Sequence, residues 1–135
     1  MSPAFLDTNV LLRHLLQDVP EQSRLASLIM ARLESGELTL RTTDTIVFET
    51  VYTMERTYRI QRSVILDCLM PILELPNLEL EGKRLYRRIF ELYLTTRVGF
   101  AECYHAALME REGITDIFSF DRGFDRLPGI RRREA

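Results

Sequence analysis

Four short runs of strand character, each parted from the next by a long stretch of helical spacing, constrain this chain more than any other feature. Ala4-Phe5-Leu6 is a brief apolar run that ends at Asp7-Thr8-Asn9, a strand leading into a polar turn or helix cap. Leu38 to Thr42 alternates and is rich in β-formers, Leu78-Glu79-Leu80 alternates again, and Ile117-Phe118-Ser119-Phe120 runs directly into Asp121. Between them lie five or six helical segments. Val10 to Leu16 is short. Pro20 opens a second helix in which Leu25, Leu28, Ile29 and Leu33 repeat at helical spacing until Gly36. Asp44 caps a third, with Val47, Val51 and Met54 on one face, running to about Tyr58. Ser63 caps a fourth, with Ile65, Leu66 and Leu69, carrying Pro71 late and ending at Pro76-Asn77. Gly82 precedes a fifth with Leu85, Ile89 and Leu92 on a face beside Tyr86 and Tyr93, and Phe100 to Glu112 is the last, stopped by Gly113.

Strands alternating with helices predict an α/β fold with a mostly parallel central sheet of about four to five strands flanked by helices. The length, 135 residues, suits one domain spanning 1–135, large enough to bury about two-thirds of its unfolded surface without a disulfide or structural metal. Cys68 and Cys103 sit inside apolar stretches, so reduced thiols are expected. No secretory leader opens the chain and no apolar run is long enough to span a membrane, which predicts a soluble cytoplasmic protein.

Eighteen basic against twenty acidic residues leave a net charge of −2, so bulk charge does not hold this chain to nucleic acid. Such a partner needs a local basic patch, or cations that offset the acids. Lys83 is the only lysine, so seventeen of the eighteen basic residues are arginine, the residue suited to bidentate phosphate contacts. The run Arg131-Arg132-Arg133 reads as a frayed, solvated end or as a phosphate contact.

Ligands of open parallel sheets bind outside the carboxyl ends of the strands. Asp7 and Asp121 stand at two such ends, while Glu49 and Glu102 interrupt apolar helical stretches where an unpaired charge is costly. Taken singly, Asp7 serves equally as a helix cap, Asp121 as a turn residue, and either glutamate as a solvated or arginine-paired side chain. Gathered at one edge, four carboxylates would repel one another unless a hard divalent cation with a preference for oxygen, Mg²⁺ or Mn²⁺, lay among them. His14 and His105 are too far apart in sequence, and too poorly partnered, to suggest zinc.

The residues around these acids resemble the motifs of PIN domains. Phe5-Leu6-Asp7-Thr8-Asn9-Val10-Leu11-Leu12 resembles the opening motif, Phe48-Glu49 with Val51-Tyr52 the second, Phe100-Ala101-Glu102-Cys103-Tyr104-His105-Ala106-Ala107 the third, and Ser119-Phe120-Asp121-Arg122-Gly123-Phe124 the last. Order, spacing and length are similar to those of VapC-type toxins. The resemblance implies a single PIN-like domain and a metal-dependent endoribonuclease in which Asp7, Glu49, Glu102 and Asp121 are catalytic and metal-binding. It further implies Mg²⁺ or Mn²⁺ as cofactor, RNA as substrate, a cognate antitoxin as partner, and a homodimer. Thr8, Asn9 and Ser119 are candidates to hold the acids by hydrogen bonds, and Arg122 and Arg13 to contact phosphate. The third motif of the family usually carries Asp where Glu102 stands, and often an acid at the place of Gly99. Those departures keep open a catalytically weak or dead PIN module that acts as a binding partner. A phospho-acceptor signalling domain, which also gathers acids at strand ends, needs a lysine near a late strand; Lys83 is not so placed.

Overall fold

The computed structural model describes residues 3–135, which fall into two compact units divided between residues 83 and 84. Among the described residues, six α-helices stand in pairs between the first four of five strands.

The first unit is built on a parallel sheet in the order β1-β2-β3, formed by Ala4–Phe5, Leu40–Arg41 and Leu78–Glu79. Ala4 lies opposite Leu40 and Leu40 opposite Leu78, so the two crossovers share one register. The ladder runs one residue beyond each short strand. The Leu6 amide donates to the Arg41 carbonyl at 2.8 Å, and the Thr42 amide to that of Glu79 at 2.9 Å. The buried Thr42 hydroxyl also donates to the Leu6 carbonyl at 3.2 Å, which fixes the exit of β1.

Helices α1 (Thr8–Leu16) and α2 (Pro20–Glu34) pack together. The stripe that α2 buries is Ser23, Ala26, Met30 and Leu33, which shares only Leu33 with the repeat Leu25, Leu28, Ile29 and Leu33. Leu25 and Leu28 point outward, 47% and 53% exposed. Both stripes have helical spacing, and the smaller Ser23 and Ala26 let α1 approach closely, which bulky leucines would prevent. His14 on α1 meets Ser27 on α2 at 2.9 Å, and burial pushes its imidazole pKa down from 6.5 against the opposing pull of Glu34.

Helix α3 (Asp44–Tyr52) is capped by Thr43, whose hydroxyl accepts from the Ile46 amide at 3.4 Å; Asp44 is its first-turn acid, not its cap. Its buried face is Val47, Val51 and Met54, as expected. The helix does not continue unchanged to Tyr58, because a π-turn over Thr53–Thr57 widens it before Arg59 adopts φ +53°. Helix α4 (Arg62–Leu73) begins one residue before Ser63, with Gln61 at the cap, and tolerates Pro71 in its last turn. Lys83 closes the unit by donating to the Leu75 and Leu78 carbonyls at 2.8 and 2.7 Å.

The second unit is organised by aromatic packing. Helices α5 (Tyr86–Thr96) and α6 (Phe100–Glu112) enclose Tyr86, Phe90, Tyr93 and Phe100. The ring of Phe100 lies 5.1 Å from Phe90 and 5.2 Å edge-on from Tyr93. Each such pair contributes about 0.5–1.5 kcal/mol beyond its area burial. Tyr86, Ile89, Phe90 and Tyr93 are therefore interior to a single chain, and their number does not argue for a dimer surface.

Strand β4 (Asp116–Phe118) pairs in parallel with β5 (Arg131–Arg133), so the strands divide into a sheet of three and a pair instead of joining one sheet. The arginine run is thus a paired strand, not a frayed end. Its backbone supplies the ladder, while Arg131 and Arg133 meet Asp116 at 2.7 and 3.3 Å and Arg132 meets Asp125 at 3.0 Å. Hydrogen bonding by Arg131 holds the Asp116 carboxyl below its ordinary pKa of 3.8. Both cysteines are free thiols, Cys103 buried and Cys68 half-buried. Among the described residues no helix is long and apolar enough to cross a membrane.

Candidate active site

In the first unit, Asp7 leaves β1 with extended backbone (φ −91°, ψ 162°) and immediately precedes α1. Its carbonyl accepts from the Leu11 amide at 3.4 Å, but its side chain makes no capping bond. The backbone of Asp7 caps the helix while the carboxylate stays exposed and available. Glu49 lies on α3 next to the buried Thr50 and opposite Val47 and Val51. It is exposed, the solvated alternative that its sequence leaves open, because its apolar neighbours face inward and leave it on the outer face.

A single hydrogen bond ties the two motifs together. Thr8 Oγ1 donates to Glu49 Oε2 at 3.1 Å, so the residue beside one acid orients the other. Asn9 is exposed and lines a groove with Val10, Arg13, Gln22, Leu25 and Ile29. It contacts neither acid by a hydrogen bond among the described residues. Arg13 turns its guanidinium to Asp18 at 3.4 Å, and its Nε is buried without a hydrogen-bond partner.

In the second unit, Glu102 sits three residues into α6, whose N-cap is Gly99. An acid in the first turn is favoured by the partial positive charge of the helix start. The buried Phe100 fixes that turn against α5, so the direction of Glu102 is set by the aromatic core. Its half-exposed carboxylate folds back over Gly99, and a Cβ on Gly99 would fall on Glu102 Oε2. Glycine at 99 and the longer acid at 102 are thus sterically linked.

Asp121 follows β4 and opens a 3₁₀ turn, Arg122–Arg126. Its Oδ1 accepts from the Gly123 amide at 2.8 Å, and its own amide donates to Ser119 Oγ at 3.0 Å. Ser119 therefore steadies the backbone of Asp121 and not its carboxylate. The donor that does hold the carboxylate, the Gly123 amide, was missed from the sequence, although Asp-x-Gly is a turn signal that predicts it. A Cβ on Gly123 would lie 3.0 Å from Asp121 Oδ1 and 3.4 Å from Val98 Cγ1, so the close approach favours glycine. Arg122 is exposed and takes part in no ion pair among the described residues, whereas Arg132 donates to the Ser119 carbonyl at 3.0 Å.

None of the four candidate acids is ion-paired to an arginine among the described residues, despite the seventeen in the chain. Asp7 and Glu49 in the first unit, and Glu102 and Asp121 in the second, each supply oxygen donors of the kind a hard divalent cation prefers. Among the described residues no three His, Cys, Asp or Glu lie near enough together to hold a metal ion. His14 is engaged by Ser27, and the exposed His105 meets its neighbour Tyr104 edge-on at 5.5 Å.

Comparison with known proteins bears on the same motifs. The PIN domain family model matches residues 4–130. The chain is also similar to the VapC ribonuclease of Aquifex aeolicus (strain VF5), at 30% identity over 124 residues, covering 90% of this chain and 90% of that protein.

Proposed function

Because the chain belongs to the PIN domain family, and within it to the VapC type, we propose that it is a metal-dependent endoribonuclease and the toxin of a toxin–antitoxin pair. The observation that carries this reading is that Asp7, Glu49, Glu102 and Asp121, one in each family motif, are all left without basic partners in an arginine-rich chain. These four are the residues proposed to hold Mg²⁺ or Mn²⁺. When bound, the cation supplies neutralisation of phosphate charge and a water of lowered pKa.

The chain's own groups do the positioning. Thr8 keeps one oxygen of Glu49 directed by its 3.1 Å hydrogen bond, and the Gly123 amide does the same for Asp121 at 2.8 Å. Arg122, exposed and unpaired among the described residues, is the candidate phosphate contact of the second unit. With no histidine pair available, water and not the RNA 2′-hydroxyl is the proposed nucleophile. Products should carry 5′-phosphate and 3′-hydroxyl ends; cyclic phosphate ends in the product mass spectrum would overturn the mechanism. Asp7→Asn preserves the backbone cap and removes the charge. The purified variant should fold normally and lose Mn²⁺-dependent cleavage, and undiminished cleavage would overturn the role of Asp7.

A second reading, a PIN module that binds a partner without efficient catalysis, is favoured by one observation: the longer acid Glu102, where the family motif usually carries Asp, folds its carboxylate back over Gly99. Calorimetric titration of the wild type with Mn²⁺ separates the readings, since a module of that kind takes up no cation in the range where the enzyme is saturated. The cognate antitoxin, the homodimer and the cytoplasmic setting belong to the same proposal. The outward apolar face of α2, with Leu25 and Leu28, suits an antitoxin segment. Light scattering with and without a co-expressed antitoxin tests both assemblies.

A further inference from the structure

Strand β4 ends at Phe118, and the two residues that follow it lead to Asp121. Ile117 and Ser119 are half-buried, while Phe118 at the end of the strand and Phe120 in the bend beyond it face solvent, at 67% and 82% exposure. Two phenylalanines on the open side forgo the burial that such rings ordinarily gain. They differ in one respect. The Arg133 guanidinium lies over the Phe118 ring at 5.1 Å and covers that face. The Phe120 ring meets no other ring or cation among the described residues, and it adjoins Asp121, a candidate catalytic acid.

The backbone that carries Phe120 is held on both sides. The Ser119 amide donates to the Arg133 carbonyl at 3.0 Å, Arg132 Nη1 to the Ser119 carbonyl at 3.0 Å, and the Asp121 amide to Ser119 Oγ at 3.0 Å. An exposed ring on a fixed backbone is already ordered for contact. Its surroundings are polar and cationic. Residues 84–135 carry ten arginines against eight acids, and Arg122 and Arg126 are exposed and in no ion pair among the described residues. Asp125, the other acid of the turn, is already neutralised by Arg132 at 3.0 Å.

We propose that Phe120 is the base-stacking contact of this chain for single-stranded RNA, with Arg122 taking an adjacent phosphate. This rests on the ribonuclease reading and names a substrate contact within it. A lone flat ring among charged groups suits a nucleobase, which is apolar on its faces and joined to phosphate. A protein surface or a second copy of the chain would call for a wider apolar patch.

The test uses the whole protein in EDTA, so that binding is read without cleavage, with fluorescein-labelled single-stranded oligouridylate and oligoadenylate as probes. Phe120→Ala should weaken binding about 5- to 150-fold, the range that loss of one stacked base gives. Phe120→Tyr should keep the affinity and Phe120→Leu should not. The chain contains no tryptophan, so Phe120→Trp adds a single emitter, which RNA should quench. Arg122→Gln should instead lower the salt dependence, reducing the slope of log affinity on log salt by about 0.7.

Wild-type affinity in Phe120→Ala, or full rescue by Leu, overturns the stacking role. So does a change of sedimentation from dimer to monomer with RNA affinity intact, which would show that the ring covers a second copy. If the wild type itself neither binds nor cleaves RNA with Mn²⁺, the ribonuclease reading fails. If it does so and only the Phe120 variants are unaffected, this inference alone fails.

Discussion

Each unit of the molecule supplies the same two kinds of acid, an aspartate after a strand and a glutamate on a helix, yet holds them differently. In residues 1–83 one bond, Thr8 to Glu49, links motifs 41 positions apart. In residues 84–135 each acid is fixed locally, Asp121 by the amide two residues on and Glu102 by the bare Cα of Gly99. The units also differ in charge: eight basic residues face twelve acidic ones in the first, and ten face eight in the second. The same chemistry can thus be positioned by a long-range tether or by the conformation of a single turn, and the two modes should fail in different ways.

The largest effect expected is on the aromatic core that aims α6. Phe90→Ala should destabilise the protein by about 3–5 kcal/mol, measured by urea denaturation. Hydrogen exchange should then rise first in residues 84–135; equal acceleration through residues 1–83 would mean that the units do not open separately.

Gly99→Ala breaks the local mode. The backbone at 99 (φ −60°, ψ 153°) accepts alanine, so stability should fall by no more than about 1 kcal/mol. The new Cβ must displace the Glu102 carboxylate, and Mn²⁺ affinity by calorimetry should fall about 10- to 100-fold, as for other groups that orient a ligand. Unchanged affinity would remove Glu102 from the cation. Restoring it with Gly99→Ala and Glu102→Asp together would identify the shorter acid as the partner of a side chain at 99.

Thr8→Val probes the tether. It keeps shape but loses an exposed hydrogen bond, so Mn²⁺ affinity should drop only about two- to tenfold. The loss should vanish in a Glu49→Gln background. Additive losses in the double variant would show that the 3.1 Å bond does not orient Glu49.

The smallest effect separates the units by pH. The folded-state pKa of His14 lies below 6.5, because burial disfavours the imidazolium. The unfolded chain therefore binds the proton first, and the stability contributed by neutral His14 is full above pH 6.5 and lost as pH falls through the folded value. Asp116 is also depressed, but from 3.8, so its contribution persists to far lower pH before it declines. Between pH 7 and about 5, amides of α1 and α2 should exchange faster while those of β4 and β5 hold; His14→Gln should flatten the first response.

Several elements were legible in the sequence. Helix α6 spans Phe100 to Glu112 and stops at Gly113 as read, and Asp7 and Asp121 stand beyond strands as read, although β4 ends at Phe118 and not at Phe120. What was not legible depended on choices between equivalent patterns. Helix α2 carries two stripes at helical spacing that share Leu33, and leucine content does not say which is buried; close packing selected the one with Ser23 and Ala26. Arg131–Arg133 reads as a solvated run, since side-chain charge says nothing of a backbone that finds a strand to pair with. The sequence leaves Glu49 open between a solvated and a paired side chain, and it is solvated because its apolar neighbours occupy the opposite face of the helix. Gly99 was visible as a departure from the family pattern, and its meaning came only with the path of the Glu102 side chain.

The pairing of β4 with β5 has a consequence during synthesis. Residues 119–121 leave the ribosome before residues 131–133, whose carbonyl and guanidinium groups hold them in place. Until that later strand emerges, the segment bearing Phe120 and Asp121 lacks its scaffold. A nascent chain of this kind would acquire an ordered Asp121 loop only after residues 131–133 have emerged, a built-in delay for a protein whose proposed substrate is RNA.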